Sequence, residues 1–391
     1  MSTEKFVCDY AWTHFEVNNP NGDVTMCCDN DMVLGNVKKN TIREIWNGKG
    51  YQKVRHRMAE EGAHAICPHT CSVLQGGKSY QNLDWHSSLE KENPARINAE
   101  INDLEYAAAA VELESLPRWM RFTYSYACNL DCYHCYQRED ATQTEKLPTD
   151  FMTEMSSLSA AYQVVLPFGG EPFLFRPVLD FLETKELSPG CQYYFVTNAT
   201  LLTERVRKVL ESKEILVMAV SLDAATEENF DKLRVRGRNA AWGTVVDTLN
   251  WLKELKKVKD FIFITTMTVN SENYMEIESF VDLSLERDAQ PLAILVGNPY
   301  QTLEFQRNFL CFTDAQFDSM FQQIDQCLPK IRERGFKDAE TAIEILRKNL
   351  QRHRTSENKV SIFTAKSAAR KVLRILPEQM QAPLKTLVQK A

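Results

Sequence analysis

Cys128, Cys132 and Cys135 stand within one eight-residue stretch, Cys-Asn-Leu-Asp-Cys-Tyr-His-Cys, and no other feature of the chain constrains its chemistry as tightly. A cubane [4Fe–4S] cluster has four irons, each normally held by a protein thiolate. Three thiolates hold three irons and leave the fourth open. An open iron can bind a substrate or cofactor directly, whereas a closed cluster only passes electrons. A structural zinc site takes four protein ligands, usually as two separated pairs, and no fourth Cys or His follows at that spacing.

About one βαβ unit downstream, the apolar run Val164-Val165-Leu166 leads into Phe168-Gly169-Gly170-Glu171-Pro172. Two glycines let the backbone pass close to a small ligand, and the glutamate adds an acceptor beside it. A cysteine triad followed by such a turn resembles the radical SAM superfamily. The likeness continues through Thr197-Asn198-Ala199-Thr200, Ser221-Leu222-Asp223-Ala224-Ala225-Thr226 and Asp231-Lys232-Leu233-Arg234.

The resemblance implies that Cys128, Cys132 and Cys135 hold a catalytic [4Fe–4S] cluster whose open iron is chelated by S-adenosyl-L-methionine. Reductive cleavage of that sulfonium yields a 5′-deoxyadenosyl radical, which abstracts hydrogen from a substrate. By the same resemblance Gly169, Gly170 and Glu171 hold the methionine amine, and Asn198, Ser221 and Asp223 are candidates for the ribose hydroxyls. His134 faces the adenine or, as the alternative, satisfies a local hydrogen bond. Arg234, or its neighbours Arg236 and Arg238, pairs with the cofactor carboxylate or lies at the surface; a planar guanidinium suits that contact.

The fold class expected is α/β. Strand-like runs at Trp119–Ser125, Gln163–Phe168, Gln192–Thr197, Ile215–Ser221, Phe261–Thr268 and Pro291–Val296 alternate with amphipathic segments at Asp150–Ala161, Val178–Leu187, Thr203–Glu211, Thr244–Lys257 and Tyr274–Arg287. Such alternation implies a parallel sheet with helices outside. Six units fall short of a closed eight-stranded barrel and suit a partial (β/α)6, TIM-like barrel. Ligands in parallel α/β folds gather beyond the carboxyl ends of the strands, where all the motifs above fall.

The first ~90 residues read differently. Trp12–Val17 and Val24–Cys27 flank a turn-rich Asn18-Asn19-Pro20-Asn21-Gly22-Asp23, which predicts a hairpin, and a helix is expected over Ile42–Ala59. Gly22-Asp23-Val24-Thr25-Met26-Cys27-Cys28, Leu34-Gly35-Asn36-Val37 and Ile42-Arg43-Glu44-Ile45-Trp46-Asn47 resemble the SPASM/twitch modules of radical SAM enzymes, which carry an auxiliary [4Fe–4S] cluster. Such modules usually follow the barrel; here it would precede it. Cys8, Cys27, Cys67 and Cys71 match its ligand positions, with His69 as a fallback. Cys27 and Cys28 cannot easily both serve, because adjacent strand side chains point to opposite faces, and by the resemblance the family pattern after Gly22-Asp23-Val24 favours Cys27. A zinc site on the same four thiolates is the alternative.

The expected division is a module at 1–90, a linker helix at 91–117 with Pro94 near its start and Pro117 after it, a core at 118–310 and a helical extension at 311–391. A formal net charge of −7 argues against a nucleic-acid partner bound through phosphates. No apolar run approaches the ~20 residues of a transmembrane helix. Eleven cysteines without an export-like start point to metal or redox chemistry and a cytoplasmic setting. The basic tail beyond Arg347 reads as a solvated helix, a docking surface for an acidic partner, or a membrane-surface helix. The resemblance implies an electron donor such as flavodoxin or ferredoxin and a peptide or protein side chain as substrate. Its alternatives are a sugar or small metabolite, or a non-catalytic iron–sulfur or zinc scaffold.

Overall fold

Met120 and Phe122 are fully buried on one side of their strand, while Trp119 and Arg121 between them are half-buried, so the strand presents two unlike faces. The computed structural model describes residues 6–27, 29–68, 71, 73–74, 86–87, 89–138, 140, 144–184, 190–235, 240–296 and 309–355. Its contacts divide the chain into two units, one of Met1–Asn129, Gln137–Val220 and Gly243–Phe263, the other of Leu130–Tyr136, Ser221–Trp242 and Ile264–Ala391.

The first unit opens with a one-turn helix α1 (Tyr10–Thr13), strands β1 (His14–Val17), β2 (Asp23–Thr25) and β3 (Gly35–Asn36), and helices α2 (Ile42–Trp46), α3 (Lys49–Glu61) and α4 (Pro94–Ala107). It continues through β4 (Trp119–Thr123), α5 (Thr149–Ser157), β5 (Val164–Phe168), α6 (Arg176–Thr184), β6 (Gln192–Thr197), α7 (Glu204–Ser212) and β7 (Ile215–Ser221). Its strands lie in the order β3-β2-β1-β4-β5-β6-β7. The predicted hairpin forms: β2 runs antiparallel to β1, with Glu16 opposite Thr25. Less expected is that β1 pairs in parallel with β4, His14 opposite Trp119 through Val17 opposite Phe122. From β4 to β7 every ladder is parallel. Phe122 packs edge-on against Phe151 and Phe181, which places α5 and α6 on the side of the sheet that Met120 and Phe122 face.

The helix expected over Ile42–Ala59 is two helices. Asn47 and Gly48 break it, and a Cβ on Gly48 would sit 2.8 Å from the Glu44 carbonyl. Thr41 and Glu44 cap α2 reciprocally. The connecting helix is also shorter than predicted: Asn93 caps it, Pro94 takes its first position, and it ends at Ala107 ahead of Ala109, whose φ is +52°. The chain from there to Pro117 is irregular, and polar side chains fasten it. Trp46 donates to the Ser115 carbonyl, Asn98 to that of Leu116, and Asn102 to Ser115 Oγ at 2.9 Å.

The second unit contains α8 (Glu227–Phe230), followed by a π-helical turn, Asp231–Val235. After α9 (Trp242–Lys256), which lies almost wholly in the first unit, come β8 (Ile262–Val269), α10 (Ile277–Leu285) and β9 (Gln290–Leu295), with β8 and β9 paired in parallel. Helices α11 (Asp314–Glu333) and α12 (Lys337–Thr355) are the predicted helical extension. Strands β4 to β9 are the six expected from sequence, and the architecture is α/β with the parallel pattern of a partial barrel. The tail beyond Thr355 lies outside the described residues.

Arg55 ties the N-terminal elements together. It is fully buried, donates to the carbonyls of Ala11 and Val111 and to Asn47 Oδ1, and lies 4.4 Å over the Trp46 ring. Burial pulls its guanidinium down to about 10. Lysine cannot reproduce three bonds in a fixed fork. Arg55→Lys is expected to lower stability by about 2–3 kcal/mol, read as a shift of the urea midpoint at unchanged slope.

Candidate active site

In the first unit the site forms where β4, β5 and β6 end together. Beyond β4 the chain runs on to Cys128, and the turn after β5 packs against that run. Gly170 N–H donates to the Ser125 carbonyl at 3.0 Å. A Cβ on Gly169, whose φ is +149°, would meet Ser125 O at 2.4 Å; one on Gly170 would meet Ala127 O at 2.2 Å and Tyr126 O at 2.4 Å. Only glycine at both positions lets the two backbones come so close.

Glu171 follows, fully buried. Its carboxylate accepts from the Thr197 hydroxyl at 2.9 Å, the Asn198 N–H at 2.7 Å and the Phe173 N–H at 3.3 Å, so it joins the ends of β5 and β6. Asn198 turns its side-chain amide toward the cysteine loop, donating to Cys128 Sγ at 3.6 Å and to Asn129 Oδ1 at 3.0 Å. Thr200 donates to Asn198 Oδ1 at 2.6 Å and accepts from Asn129 at 2.8 Å. Cys128, Gly169, Gly170, Glu171 and Asn198 are thus one connected network. Asn129, Thr197 and Thr200 complete it, and sequence reasoning gave them no role; their proximity to Cys128 and Glu171 in sequence or on neighbouring strand ends was the available signal.

In the second unit Asp223 is the hub. It has a left-handed φ of +55° and is 4% exposed. Arg234 donates to its Oδ2 at 2.7 Å, the Thr268 N–H to its Oδ1 at 2.7 Å, and His134 Nε2 lies 3.3 Å from Oδ2. Burial alone would raise the Asp223 carboxyl; Arg234, His134 and the Thr268 N–H outweigh it and hold the group well below the usual carboxylate range. The π-helical turn grips the cysteine loop from the same side: Asp131 N–H donates to the Arg234 carbonyl and Tyr133 N–H to that of Leu233. Cys132 and Cys135 are half-buried on this loop, joined by a 3.2 Å bond from Cys135 N–H to the Cys132 carbonyl. His134 Nδ1 is buried without a hydrogen-bond partner among the described residues. Ser221 ends β7, while Arg236 and Arg238 lie outside the described residues.

A second group of thiols belongs to the N-terminal elements. Cys8, Cys27 and Cys71 are buried and Cys67 half-buried. Burial pushes the Cys8 thiol up to about 12, and Asp9, Cys67 and Cys71 add to the rise. Tyr10 lies within electrostatic reach of both Cys8 and Cys27. Asn30 pairs with Cys27 in a bridge and donates to the Ile66 carbonyl beside Cys67. Among the described residues no three His, Cys, Asp or Glu side chains converge on a single metal ion. The donor chemistry nonetheless fits an iron–sulfur cluster, which thiolates hold, and Cys8, Cys67 and Cys71 lie within electrostatic reach of one another. Cys128, Cys132 and Cys135 are half-buried thiols, and thiolates are the donors such a cluster takes. Cys28 and His69 lie outside the described residues; Cys191 and Cys327 are buried, and Cys311 is exposed.

Asp223 also yields a stability test. Asp223→Ala strands a buried guanidinium and is expected to cost about 3–5 kcal/mol, much of it recovered in an Asp223→Leu/Arg234→Met double variant. Because the folded carboxyl is held low, its contribution is present above the ordinary carboxylate value and lost as pH falls through the folded one. Urea denaturation of the wild type and both variants across acid pH reads both effects.

Residues 122–284 match the family described as the radical SAM superfamily, and residues 8–72 match the iron–sulfur cluster-binding SPASM domain. AdoMet-dependent heme synthase from Methanosarcina barkeri is 26% identical over 56% of this chain and 64% of its own length. Mycofactocin maturase MftC from Mycobacterium tuberculosis is 30% identical over 31% of each chain. The chain therefore spans under two thirds of the heme synthase and about a third of the maturase. A crystal structure of Streptococcus suis SuiB bound to precursor peptide SuiA aligns with 75% of this chain and 62% of that one, at 15% identity and a TM-score of 0.42. With its cysteine triad, glycine turn and N-terminal thiols in these matched segments, the chain belongs to the radical SAM superfamily and carries a SPASM domain ahead of its radical SAM domain.

Proposed function

We propose that the protein is a radical SAM enzyme that cleaves S-adenosyl-L-methionine and abstracts hydrogen from a peptide or protein side chain. The observation that carries this reading is the network at the strand ends, where Gly169 and Gly170 press against the run leading to Cys128 and Asn198 donates to Cys128 Sγ. Cys128, Cys132 and Cys135 would hold the catalytic cluster. When bound, such a cluster supplies the electron that breaks the carbon–sulfur bond of the sulfonium.

The chain's own residues prepare the place. Gly169 and Gly170 offer close backbone approach, and Glu171 would take the methionine amine. Asn198, Ser221 and Asp223 stand as ribose candidates, His134 beside the adenine, and Arg234 near the carboxylate. Asp223 and Arg234 already bond each other, so a ligand would share them with that pair. An AdoMet-dependent relative matching over half of the chain favours the cofactor.

Cys8, Cys27, Cys67 and Cys71 would hold a second [4Fe–4S] cluster. Cys27 follows β2, which runs antiparallel to β1, and so lies past the amino end of β1. Cys128 lies past the carboxyl end of β4, which runs parallel to β1. The five residues of β4 alone span roughly 16 Å. That separation favours a relay or structural role for the second cluster over contact with a substrate at Cys128. A flavodoxin- or ferredoxin-like donor would reduce the enzyme. The peptide reading draws on the SPASM domain and the maturase likeness.

Anaerobic reconstitution should load about eight irons with matching sulfide, and dithionite with S-adenosyl-L-methionine should give 5′-deoxyadenosine. Cys128→Ala should reduce that product to background. Zinc in place of iron, or product unchanged in the variant, would overturn the reading.

A further inference from the structure

We infer that Phe309 is a positioning residue for the loop that bears Cys132 and Cys135, and that the helical hairpin of α11 and α12 holds it in place. This rests on the radical SAM reading, in which that loop carries the catalytic cluster, and it gives the C-terminal extension a part in the same site.

Tyr133 and His134 are the two residues between Cys132 and Cys135, and one ring packs against both. Phe309 is 3% exposed. Its ring centre lies 4.6 Å from that of Tyr133 and 6.4 Å from that of His134, edge-on in each case. The span between the two thiols therefore meets Phe309 at each of its residues, inside a turn closed by the bond from Cys135 N–H to the Cys132 carbonyl. Asp223 holds His134 at Nε2, which fixes one edge of the imidazole, and the Phe309 ring limits rotation about that contact. Tyr133 stays 38% exposed against Phe309. Such a contact hides little of Tyr133, so it adds more to the orientation of the loop than to burial.

Phe309 is in turn fixed from two sides. Its carbonyl accepts the Ser271 N–H at 3.0 Å, which ties it to the chain just past β8. The next carbonyl, that of Leu310, lies 2.7 Å from His353 Nε2 in the last turn of α12. A carbonyl can only accept, so His353 carries a proton on Nε2. The same imidazole packs against Phe312 and Phe317, with ring centres 6.2 and 6.1 Å away. Arg354 beside it donates to Asp314 at 2.9 Å and to Asp318 at 2.6 Å, closing the end of α12 onto the start of α11. Such exposed ion pairs add little energy; the His353 bond and its packed rings carry the contact.

The contacts run from His353 through Leu310 to Phe309 and on to Tyr133 and His134, all within the second unit. Filling space alone would be served as well by a leucine at 309, which supplies apolar contact without a flat face. Holding two neighbouring rings at fixed angles is what the aromatic side chain adds. Such pairs are worth roughly two- to tenfold in an equilibrium beyond the area they bury. The cysteine loop is thus gripped at its backbone by the π-helical turn and at its side chains by Asp223 and Phe309.

The test alkylates the full chain anaerobically with iodoacetamide, before iron is added, and follows each cysteine by peptide mass spectrometry. Phe309→Leu and His353→Leu are expected to speed labelling of Cys132 and Cys135 roughly two- to tenfold. Ile331→Ala is the control: it opens a cavity at a fully buried position in the last turn of α11 and should speed neither cysteine. In the reconstituted chain, Phe309→Leu should raise the KM for S-adenosyl-L-methionine by the same factor, and more than it lowers kcat, at unchanged iron content. The inference is overturned if Phe309→Leu leaves labelling or KM unchanged, or if Ile331→Ala speeds labelling as much. 5′-Deoxyadenosine formation by the wild type separates the two readings. Product with unaltered labelling in both variants overturns the positioning role alone; faster labelling without wild-type product overturns the catalytic reading alone.

Discussion

The parallel pairing of β1 with β4 is the constraint on which the first unit depends. Parallel neighbours cannot be joined by a tight turn, so a long crossover must connect them. Here it contains β2, β3, α2, α3 and α4. The N-terminal elements are therefore part of the sheet, with β4 bonded on both edges. Such a crossover must be held down, and the buried polar side chains do this: Arg55 on Ala11 and Val111, Asn102 on Trp12, Asn98 on Leu116 and Trp46 on Ser115. Each bond is modest in net energy, but each buried partner would be costly to leave unpaired. The irregular segment before β4 is consequently fixed by side chains where regular backbone pairing is missing.

Two buried ion pairs, Glu16–Arg121 and Asp223–Arg234, stand out against the apolar surroundings. Removing charges from water is expensive, and a well-packed apolar pair would often be at least as stable. What these pairs add is geometry. Arg234 and His134 approach the same Asp223 oxygen, while the backbone around Arg234 receives the N–H groups of Asp131 and Tyr133. The carboxylate thereby sets the relation between the π-helical turn and the loop bearing Cys132 and Cys135. Arg121 does comparable work between strands, bridging β1 to the ring of Phe168 on β5.

Much of this was legible because it is local. Runs such as Val164–Phe168 and Ile215–Ser221 are β-branched and apolar, so their strand character follows from composition. The glycine turn could be read as a place of close approach, although its neighbours, the Ser125 and Ala127 carbonyls, could not. What was missed depends on partners far away in sequence. Two residues, Gly35 and Asn36, form β3 only because β2 offers them an edge. The left-handed turns at Ala199 and Asp223 use residues with no general preference for that conformation, or only a mild one, and surrounding bonds hold them there. The break at Gly48 was readable in principle, since Asn-Gly is a turn signal, but the apolar periodicity on either side concealed it.

Strand direction also settles where the two groups of thiols fall. Had β1 run antiparallel to β4, the residues ahead of β1 would have been delivered to the edge where Cys128 lies. Because the pairing is parallel, whatever precedes β1 and whatever follows β4 end at opposite edges of the sheet. Cys8 precedes β1 through α1, and Cys27 returns to the same edge because β2 reverses direction. Tyr10, His14 and Trp119 stack at that edge, with ring centres 3.9 and 5.0 Å apart, and burial drives His14 down to about 3, which keeps it neutral in the stack at ordinary pH. The surroundings of each thiol group therefore follow from one backbone register: the edge that holds Cys128 has the glycine turn, Glu171 and Asn198 beside it, while the edge reached by Cys8 has stacked rings and buried thiols.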